Sequence, residues 1–406
     1  MKSILGILVL ILIFSCHSNQ EKGINAIEGS SDLQGKYYTS DSVLESKGES
    51  QDCISKLINA AKENNIKLAK ELLEEGCDVN GKIEIGDNIW ESPLRCGVNH
   101  NDSEMAKLLL KYGADPVQDL GRGMNPFQYA AGASSHETFL LLLNRCKDVN
   151  ILNSNENYRT PLFFAIAEGK YENVKSLIER GAKINPDSLN GMSSPLADAC
   201  IYNQIIIFKF LLMKGAKVNA LYSSESEDCM PCLSGITVLH QLVDLNSYSD
   251  HNTVKLFLDI LIKYNPDMNM ESKYGLTALE HACYGNDTIL VDWLIAHGSK
   301  LETNDYSALH CAAKLSNYKM VEFLLKKGAN PNSKTKEGNT PLLVSYNCCG
   351  DGFGEGITSD DRIKTARLLI AYGADPFIKN DNNESFFDMC KGNVKREVCD
   401  SIKIKN

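Results

Sequence analysis

Positive charge is scarce in this chain of 406 residues. Lys and Arg total 42 against 52 Asp and Glu, which leaves a formal net charge of −10 with His neutral. A protein that follows a nucleic-acid backbone needs a basic stripe to neutralise the phosphates. The acidic balance therefore argues against nucleic acid as a partner. It permits basic protein partners without naming one.

Sequence motifs of common active sites are also missing. The chain has no Gly-Lys-Ser/Thr phosphate loop, no Gly-x-Ser-x-Gly nucleophile turn and no His-Glu-x-x-His zinc motif. The pair Asp360-Asp361 lies near a Gly-Asp-Gly segment, but the ligand spacing of an EF-hand calcium loop is absent. The sequence therefore predicts a protein that is not an enzyme, with no catalytic residue, no cofactor and no metal site.

Long apolar runs are absent except at the amino terminus. Ile4–Phe14 is an uninterrupted apolar run of eleven residues that follows the single positive charge of Lys2. That length is typical of a signal peptide and is well short of the roughly 20 residues that span a bilayer. No other segment of the sequence is apolar enough to be a transmembrane helix.

The end of this run resembles the lipobox of bacterial lipoproteins, because Ile13-Phe14-Ser15-Cys16 places an aliphatic and a small residue before a cysteine. The resemblance implies that a signal peptide of residues 1–15 is removed and that Cys16 then carries a lipid. The alternative is an ordinary secretory signal with a chance cysteine. The lipobox reading implies a lipid-anchored protein of the bacterial cell envelope, on its periplasmic face or at the cell surface.

The segment after Cys16 is rich in Ser, Glu, Gly, Lys and Asn and lacks helical periodicity up to about residue 50. Such a composition is typical of a flexible tether. A random coil of this length has an end-to-end distance of roughly 30 Å. The predicted organisation is therefore a signal peptide at 1–15, a lipid-anchored tether at 16–50 and a folded domain at 51–406.

Two short motifs recur along the rest of the chain. The first is a small polar residue followed by Pro-Leu or a variant of it, and the second is Gly-Ala-Asp or a variant. In six of eight pairs the two motifs begin 21 residues apart, as from Ser92 to Gly113. The first motif begins at Ser92, Asn125, Thr160, Ser194, Thr237, Thr277, Ser307 and Thr340, and the second at Gly113, Cys146, Gly181, Gly215, Asn265, Gly298, Gly328 and Gly373. A degenerate copy at Ser55 and an incomplete one at Ser385 bring the number of units to ten.

Each motif has a structural role that follows from its residues. Ser or Thr accepts a backbone N–H at a helix N-cap, and Pro is tolerated in the first helical turn. Gly permits the left-handed backbone that ends a helix. The pattern resembles the ankyrin-repeat family, with its period of 33 residues and its Thr-Pro-Leu-His motif. The resemblance implies an all-α solenoid of helix pairs with short β-hairpin fingers, in which neighbouring units share one core.

Three segments depart from the repeat spacing and are predicted insertions. They lie at 222–232, in a finger between units, at 245–252, between two helices, and at 348–361. Long loops on a rigid scaffold often carry function. Neutral surface decoration is the alternative for all three, because the spacing shows their length but not their role.

The chain contains 14 cysteines. Five of them fall on core positions of the first helices, where Cys behaves as a small apolar residue. These are Cys96, Cys200, Cys283, Cys311 and Cys390. Cys229 and Cys232 lie instead in the insertion at 222–232, and this pair is a possible disulfide, two unpaired thiols, or a redox or metal site. No βαβ pattern surrounds the pair, which argues against a thioredoxin-like enzyme.

The ankyrin resemblance also implies a binding face, formed by each finger just before the first helix and by the exposed end of that helix. Aromatic and Arg side chains are enriched at interface hot spots. The residues at these offsets with suitable side chains are Arg159, Tyr202, Ile236, Tyr274, Tyr284 and Tyr306. The expected function is a non-enzymatic scaffold for a protein partner of unknown identity. A thiol–disulfide or metal-dependent role of Cys229 and Cys232 is the alternative.

Overall fold

A computed structural model describes residues 41–389, apart from residues 87, 101, 153–158, 187–193, 224–233, 246–250, 304–305 and 348–357. From Glu49 onward, the described residues belong to one compact unit. None of the helices in these residues is both long enough and apolar enough to cross a membrane. The predicted signal peptide, Cys16, Cys229 and Cys232 lie outside the described residues.

The described residues form nine consecutive pairs of antiparallel helices and one further short helix. We number the pairs as units 1 to 9, and we call the segment between two units a finger. The helices are α1 (Asp41–Lys62), α2 (Ile66–Glu74), α3 (Pro93–Gly97), α4 (Glu104–Lys111), α5 (Pro126–Ala133), α6 (His136–Leu143), α7 (Pro161–Ala167), α8 (Tyr171–Glu179), α9 (Pro195–Ile201), α10 (Ile205–Met213), α11 (Val238–Leu245), α12 (His251–Leu261), α13 (Ala278–Tyr284), α14 (Thr288–Ala296), α15 (Ala308–Lys314), α16 (Tyr318–Lys326), α17 (Pro341–Asn347), α18 (Ser359–Ala371) and α19 (Phe386–Met389).

The repeated motifs begin and end the helices as the sequence predicts. The side chain of Thr160 accepts a hydrogen bond from the backbone N–H of Phe163 at 3.3 Å, and Pro161 occupies the first turn. Eight of the nine described second helices are followed by a residue of positive φ, which is 90° at Gly113 and 53° at Asn265. Only Gly, or a residue such as Asn, adopts this conformation at little cost. The motifs therefore set the boundaries of the helices locally, unit by unit.

Each first helix packs against the second helix of its own unit and against the first helix of the next unit, from α3 through α19. Most of the Leu and Ala residues of the first helices and many apolar residues of the second helices are buried in one continuous core, which extends from Leu57 to Phe386. Cys96, Cys200, Cys283 and Cys311 are buried in this core as predicted, whereas Cys390 lies outside the described residues. The all-α solenoid predicted from the sequence is confirmed.

Asparagine side chains connect successive fingers. Asn150 donates a hydrogen bond through its amide nitrogen to the carbonyl of Gly181 at 3.2 Å and accepts one from the backbone N–H of Lys183 at 2.9 Å. The same pair of bonds to the next finger is formed by Asn80, Asn185, Asn269 and Asn332. Because each asparagine satisfies one donor and one acceptor of its neighbour, this asparagine ladder fixes the spacing of the fingers.

Two fingers form two-stranded antiparallel hairpins. The first pairs β1 (Ile83–Gly86) with β2 (Ile89–Glu91), and the second pairs β3 (Tyr222–Ser223) with β4 (Ser234–Ile236). Other fingers, where they are described, contain turns and isolated β-bridges, such as the one between Glu302 and Ser307. The second hairpin brackets the insertion predicted at 222–232, most of which lies outside the described residues.

The amino-terminal unit differs from the prediction. Helix α1 begins at Asp41, so residues 41–50, which were predicted to belong to the tether, are helical. Ser55 does not cap a helix: its hydroxyl donates a hydrogen bond to the carbonyl of Gln51 at 2.9 Å, inside the helix. Asp52 and Lys56 form an ion pair across one helical turn. Helix α1 therefore includes residues 41–50 of the predicted tether, and the compact unit begins at Glu49.

A disulfide joins Cys53 in α1 to Cys77 in the finger after α2, with their Cα atoms 5.9 Å apart. Neither cysteine was singled out by the sequence pattern. The bridge closes the first helix pair, the only one of the described pairs in which two cysteines are joined.

The ends of the other two predicted insertions are helical or cap a helix. Leu245, His251 and Asn252 are helical, so only residues 246–250 of the segment 245–252 lie outside the described residues. At the third insertion, helix α18 begins at Ser359 and is capped by Thr358. Asp361 accepts a hydrogen bond from the Thr358 hydroxyl at 2.6 Å. The last residues of the segment predicted at 348–361 are therefore a helix cap and a first turn.

Candidate protein-binding face

Five of the six residues predicted to contact a partner are at least partly accessible. Arg159 and Tyr306 each precede an N-cap, and Tyr274 lies in a turn of a finger. Tyr202 and Tyr284 lie at the carboxyl ends of the first helices α9 and α13. We call these five residues the tyrosine face.

Arg159 and Tyr202 come together around one phenylalanine. The Arg159 guanidinium lies 4.0 Å from the centre of the Phe163 ring and 4.0 Å from an oxygen of Asp198. The Tyr202 ring packs edge-on against the Phe163 ring, with the two ring centres 5.7 Å apart. Burial raises the pKa of Tyr202, although nearby Arg159 lowers it. Residues from units 4 and 5 thus form one cation–aromatic cluster with a partly exposed Arg.

Tyr284 and Tyr306 form a second cluster, between units 7 and 8. The Tyr306 ring lies 5.1 Å from the ring of His310. Tyr284 forms a side-chain hydrogen bond with Cys311, and burial raises the pKa of Tyr284 well above its usual value. This tyrosine therefore stays a neutral phenol. Since both side chains are only partly exposed, they contribute to the stack as well as to its surface.

Tyr274 and Ile236 differ in solvent exposure. Tyr274 is 50% exposed in the finger before unit 7. Ile236 is fully buried and packs with Ala197 and Tyr222. The prediction that Ile236 contacts a partner was therefore wrong. Its side chain points inward because Ile236 pairs with Tyr222 across the hairpin of β3 and β4.

In units 3, 6 and 8, the residue three positions after the N-cap holds the following finger in place. His240 lies 3.0 Å through Nε2 from the carbonyl of Leu276, and His310 lies 3.0 Å from that of Asn339. Gln128 donates in the same way to the carbonyl of Arg159 at 2.9 Å. These bonds give the two histidines a structural role. These bonds position the fingers that carry the tyrosine face.

Both histidines are held in one protonation state. In His310, Nδ1 lies 2.7 Å from the Ser307 hydroxyl and accepts from the Ser307 backbone N–H, so Nε2 carries the proton that it donates. Burial lowers the pKa of His240 and of His310 to about 4. The imidazoles are therefore neutral near pH 7, which suits a fixed hydrogen-bonding role and not proton transfer.

Glu280 takes the histidine position in unit 7 and was not predicted from the sequence. It is fully buried, accepts the backbone N–H of Thr277 at 2.7 Å and the Thr303 hydroxyl at 3.0 Å. Burial raises the pKa of this carboxyl, against the effect of its hydrogen bonds. The motif could have identified Glu280, because Thr277-Ala278-Leu279-Glu280 places an acid where two other units have His. It bridges unit 7 to the finger below Tyr306.

Gly235 is another position that the sequence reasoning passed over. Its φ is +64°, and a Cβ atom there would lie 2.6 Å from the Cβ atom of Lys273. The Lys273 backbone N–H donates to the Gly235 carbonyl at 2.9 Å. Glycine is therefore required where the finger that carries Tyr274 approaches β4.

The described cysteines and acids do not form a reactive site. Burial raises the pKa of Cys96 to about 11 and that of Cys146 to about 12, so neither thiol ionises readily. Among the described residues, no group of three or more His, Cys, Asp or Glu side chains is placed to hold a metal ion. Cys229 and Cys232 lie outside these residues, so their chemistry stays a prediction.

Comparison with known proteins gives the same repeat. A family model described as "Ankyrin repeats" matches three times, at residues 94–188, 128–222 and 239–335. The chain is 26% identical over 292 residues, 70% of its length, to the ankyrin repeat and KH domain-containing protein mask-1 of Caenorhabditis elegans. It is 29% identical over 170 residues, 41% of its length, to the B-cell lymphoma 3 protein homolog of Mus musculus. It is 24% identical over 337 residues, 81% of its length, to the transient receptor potential cation channel subfamily A member 1 of Homo sapiens.

The alignments cover only 10%, 38% and 28% of these three relatives, so the similarity concerns their repeat regions and not their whole lengths. The family matches together cover more than half of the present chain. They coincide with units 2 to 8, where the caps, the left-handed helix ends and the shared core were found. The chain belongs to the ankyrin-repeat family.

Proposed function

We propose that this protein is a non-enzymatic scaffold that binds a protein partner through the tyrosine face. The observation that carries the proposal is the cluster of Arg159 and Tyr202 around Phe163, which presents a partly exposed guanidinium and an aromatic edge from two adjacent units. Arg and Tyr give large contact area for little lost side-chain freedom. The fingers below them are already fixed by hydrogen bonds between units, so binding requires little ordering.

The partner is first captured with the folded body carrying Cys16→Ala as bait and identified by mass spectrometry. Its affinity is then compared for wild type, Tyr274→Ala and Arg159→Ala. Tyr274 is half exposed, so its removal is expected to leave thermal unfolding unchanged and to weaken binding by more than about fivefold, as at an interface hot spot.

Tyr372→Ala is the matched control, since Tyr372 is 41% exposed but is the C-cap of the second helix α18, outside the tyrosine face. The triple variant Tyr274→Ala, Tyr284→Ala, Tyr306→Ala extends the test to the second cluster. Unchanged binding in a folded triple variant would move the contact to the insertions. Equal losses of affinity in Tyr274→Ala and Tyr372→Ala would contradict the proposal that the tyrosine face binds the partner.

The proposal includes lipid attachment at Cys16, which places the scaffold on the periplasmic face or the surface of a bacterial envelope. Its support is the apolar run Ile4–Phe14, the Ser15-Cys16 junction and the polar segment that follows. The disulfide between Cys53 and Cys77 adds support, because disulfides persist mainly in oxidising compartments.

Replacing Cys16 by Ala is expected to release the protein from the membrane fraction and to abolish incorporation of a labelled fatty acid. Ser18→Ala, which alters the same segment but keeps the cysteine, is expected to behave as wild type. A Cys16→Ala protein that remains membrane-bound, or a wild-type protein that carries no lipid, would contradict the anchor while leaving the partner-binding proposal intact.

A further inference from the structure

One surface position of the second helices changes its character along the stack. In each unit it lies nine residues before the residue of positive φ that follows the second helix. In unit 3, Cys146 stands in place of that residue and the same count applies. From unit 1 to unit 9 its occupants are Lys67, Glu104, Glu137, Glu172, Ile206, Leu256, Ile289, Lys319 and Lys364, all of them exposed. We call this series the outer column.

Three consecutive units carry apolar residues in the outer column. Ile206 is 66% exposed, Leu256 is 54% exposed and Ile289 is 74% exposed. One turn further along each helix lies a partly buried apolar side chain, such as Phe210 or Trp293. Isolated exposed apolar residues are normal on a protein surface, but a contiguous patch marks an interaction site.

Contacts within the stack show that the three helices are neighbours. The rings of Phe208 in α10 and Phe257 in α12 lie 5.0 Å apart. His251, the first residue of α12, lies 3.6 Å from Asp287, the N-cap of α14. The three exposed side chains therefore form one stripe across units 5, 6 and 7.

The charges that flank the stripe have opposite signs at its two ends. Glu172 and Glu137 precede it in units 4 and 3, whereas Lys319 and Lys364 follow it in units 8 and 9. A two-fold axis through Leu256 would place unit 5 of one copy opposite unit 7 of the other. It would likewise place unit 4 opposite unit 8 and unit 3 opposite unit 9, so each Glu faces a Lys and each Ile faces an Ile.

We propose that the outer column is the interface of a homodimer, in which two copies pack their second-helix faces together, with the stacks of units running in opposite directions about a two-fold axis at Leu256. A two-fold interface requires a surface that is complementary to itself, and the outer column meets this condition in both its apolar and its charged positions. The proposed face lies on the second helices, whereas the tyrosine face lies on the fingers and first helices. The inference does not depend on the partner or on the lipid anchor.

The charged ends select the antiparallel arrangement. In a parallel arrangement Glu172 would face Glu172 and Lys319 would face Lys319, and like charges placed opposite each other disfavour a pairing. Glu137 already forms a 3.0 Å ion pair with Lys107 of its own chain. It therefore contributes to the dimer through long-range electrostatic attraction more than through a new ion pair. The apolar stripe provides the contact, and the charges determine its orientation.

The first experiment measures association of the full chain in a non-ionic detergent by sedimentation velocity. Wild type is expected to be a dimer with a dissociation constant on the order of micromolar, as suits a small interface. Leu256→Asp places two carboxylates at the axis and is expected to raise this constant by about 100-fold or more. Ile85→Asp, which adds the same charge to an apolar residue that is 53% exposed in β1, outside the second helices, is the matched control. Thermal unfolding of both variants establishes that they fold.

The second experiment tests the symmetry by oxidative cross-linking. Leu256→Cys is expected to form a disulfide with itself across the axis. Ile206→Cys and Ile289→Cys are expected to cross-link efficiently when the two proteins are mixed, and poorly when each is alone. Wild type under the same oxidation gives the background from the native cysteines.

The third experiment reverses the charges. Glu172→Lys and Lys319→Glu are each expected to weaken the dimer severalfold at low salt, and the double variant is expected to restore it. A wild-type protein that is monomeric at tens of micromolar would overturn the proposal, as would a dimer that Leu256→Asp leaves intact. A monomer that binds phosphatidylcholine vesicles through Ile206 and Ile289 would assign the stripe to a membrane surface instead and also overturn it.

Discussion

In units 3, 6, 7 and 8, the side chain three positions after the N-cap connects the first helix to the finger that follows. His240 and His310 fill it with a neutral imidazole, whereas Gln128 fills it with an amide, and all three reach the backbone carbonyl just before the next N-cap. Glu280 reaches the next finger through the Thr303 hydroxyl instead. Imidazole and amide thus perform the same structural task, but only the imidazole titrates between pH 4 and pH 7.

Acid is expected to destabilise the fold through His310. Its pKa is lowered to about 4 in the folded protein, from the ordinary value of 6.5. The unfolded chain therefore binds a proton as the pH falls below about 6.5, while the folded chain resists until about 4. The neutral imidazole of His310 therefore contributes fully to the free energy of unfolding above pH 6.5. This contribution, about 3 kcal/mol, is lost as the pH falls toward 4.

Chemical unfolding of wild type and His310→Gln at pH 7 and at pH 4.5 measures this contribution. The two proteins are expected to have similar free energies of unfolding at pH 7, and the variant is expected to lose less at pH 4.5. The reciprocal change Gln128→His is expected to increase acid sensitivity. Identical pH profiles for wild type and His310→Gln would show that this imidazole is not the acid-sensitive group.

At the scale of the helix pair, boundaries were predictable wherever local chemistry determines them. Thr160 caps its helix and Gly113 ends one, and both roles follow from properties that the residue carries into any sequence. The burial of Ile236 was not predictable, because it depends on pairing with Tyr222 on the far side of an insertion. The Cys53–Cys77 bridge was missed for a similar reason, since it requires the end of one helix to meet the finger after the next.

The disulfide in unit 1 cross-links the first described helix pair. The double variant Cys53→Ser, Cys77→Ser is expected to lower the free energy of unfolding of unit 1 by about 3 kcal/mol, from the entropy of a loop with a sequence separation of 24. Hydrogen exchange of α1 and α2 measures it, because local opening precedes global unfolding in repeat proteins.

Reductant provides the control for this prediction. It is expected to accelerate exchange in unit 1 of wild type and to have little effect on the double variant. A bridge between Cys229 and Cys232 would close a loop of only a few residues, and the chain-entropy relation assigns it a smaller effect. Exchange in α1 and α2 that is unaffected by either treatment would show that the disulfide does not stabilise unit 1.

At the scale of the whole molecule, stability is transmitted only between neighbouring units. Phe208 in unit 5 is fully buried and contacts Phe257 in unit 6. Phe208→Ala is expected to cost about 3–5 kcal/mol through the cavity that it leaves. Because units 1–4 and 7–9 do not share this contact, the single unfolding transition is expected to separate into two.

Calorimetry and chemical unfolding followed by two probes test this expectation. Phe377→Ala is the control, because Phe377 is 69% exposed and lies in the last described finger. A Phe208→Ala protein that unfolds in one transition, with coincident probes, would show that the stack remains one cooperative unit despite the cavity.

The asparagine ladder also constrains how the gene for such a protein can change in length. Asn150 and Asn185 make the same two bonds to the finger that follows, so removing residues 151–185 would leave Asn150 in register with Gly215 and Lys217, which Asn185 now bonds. A deletion of half that length would instead present a helix where a finger is needed and leave both bonds unmade. Gains and losses of whole units should therefore be tolerated far better than fractional ones, and the chain can lengthen or shorten in steps of one repeat without new joints.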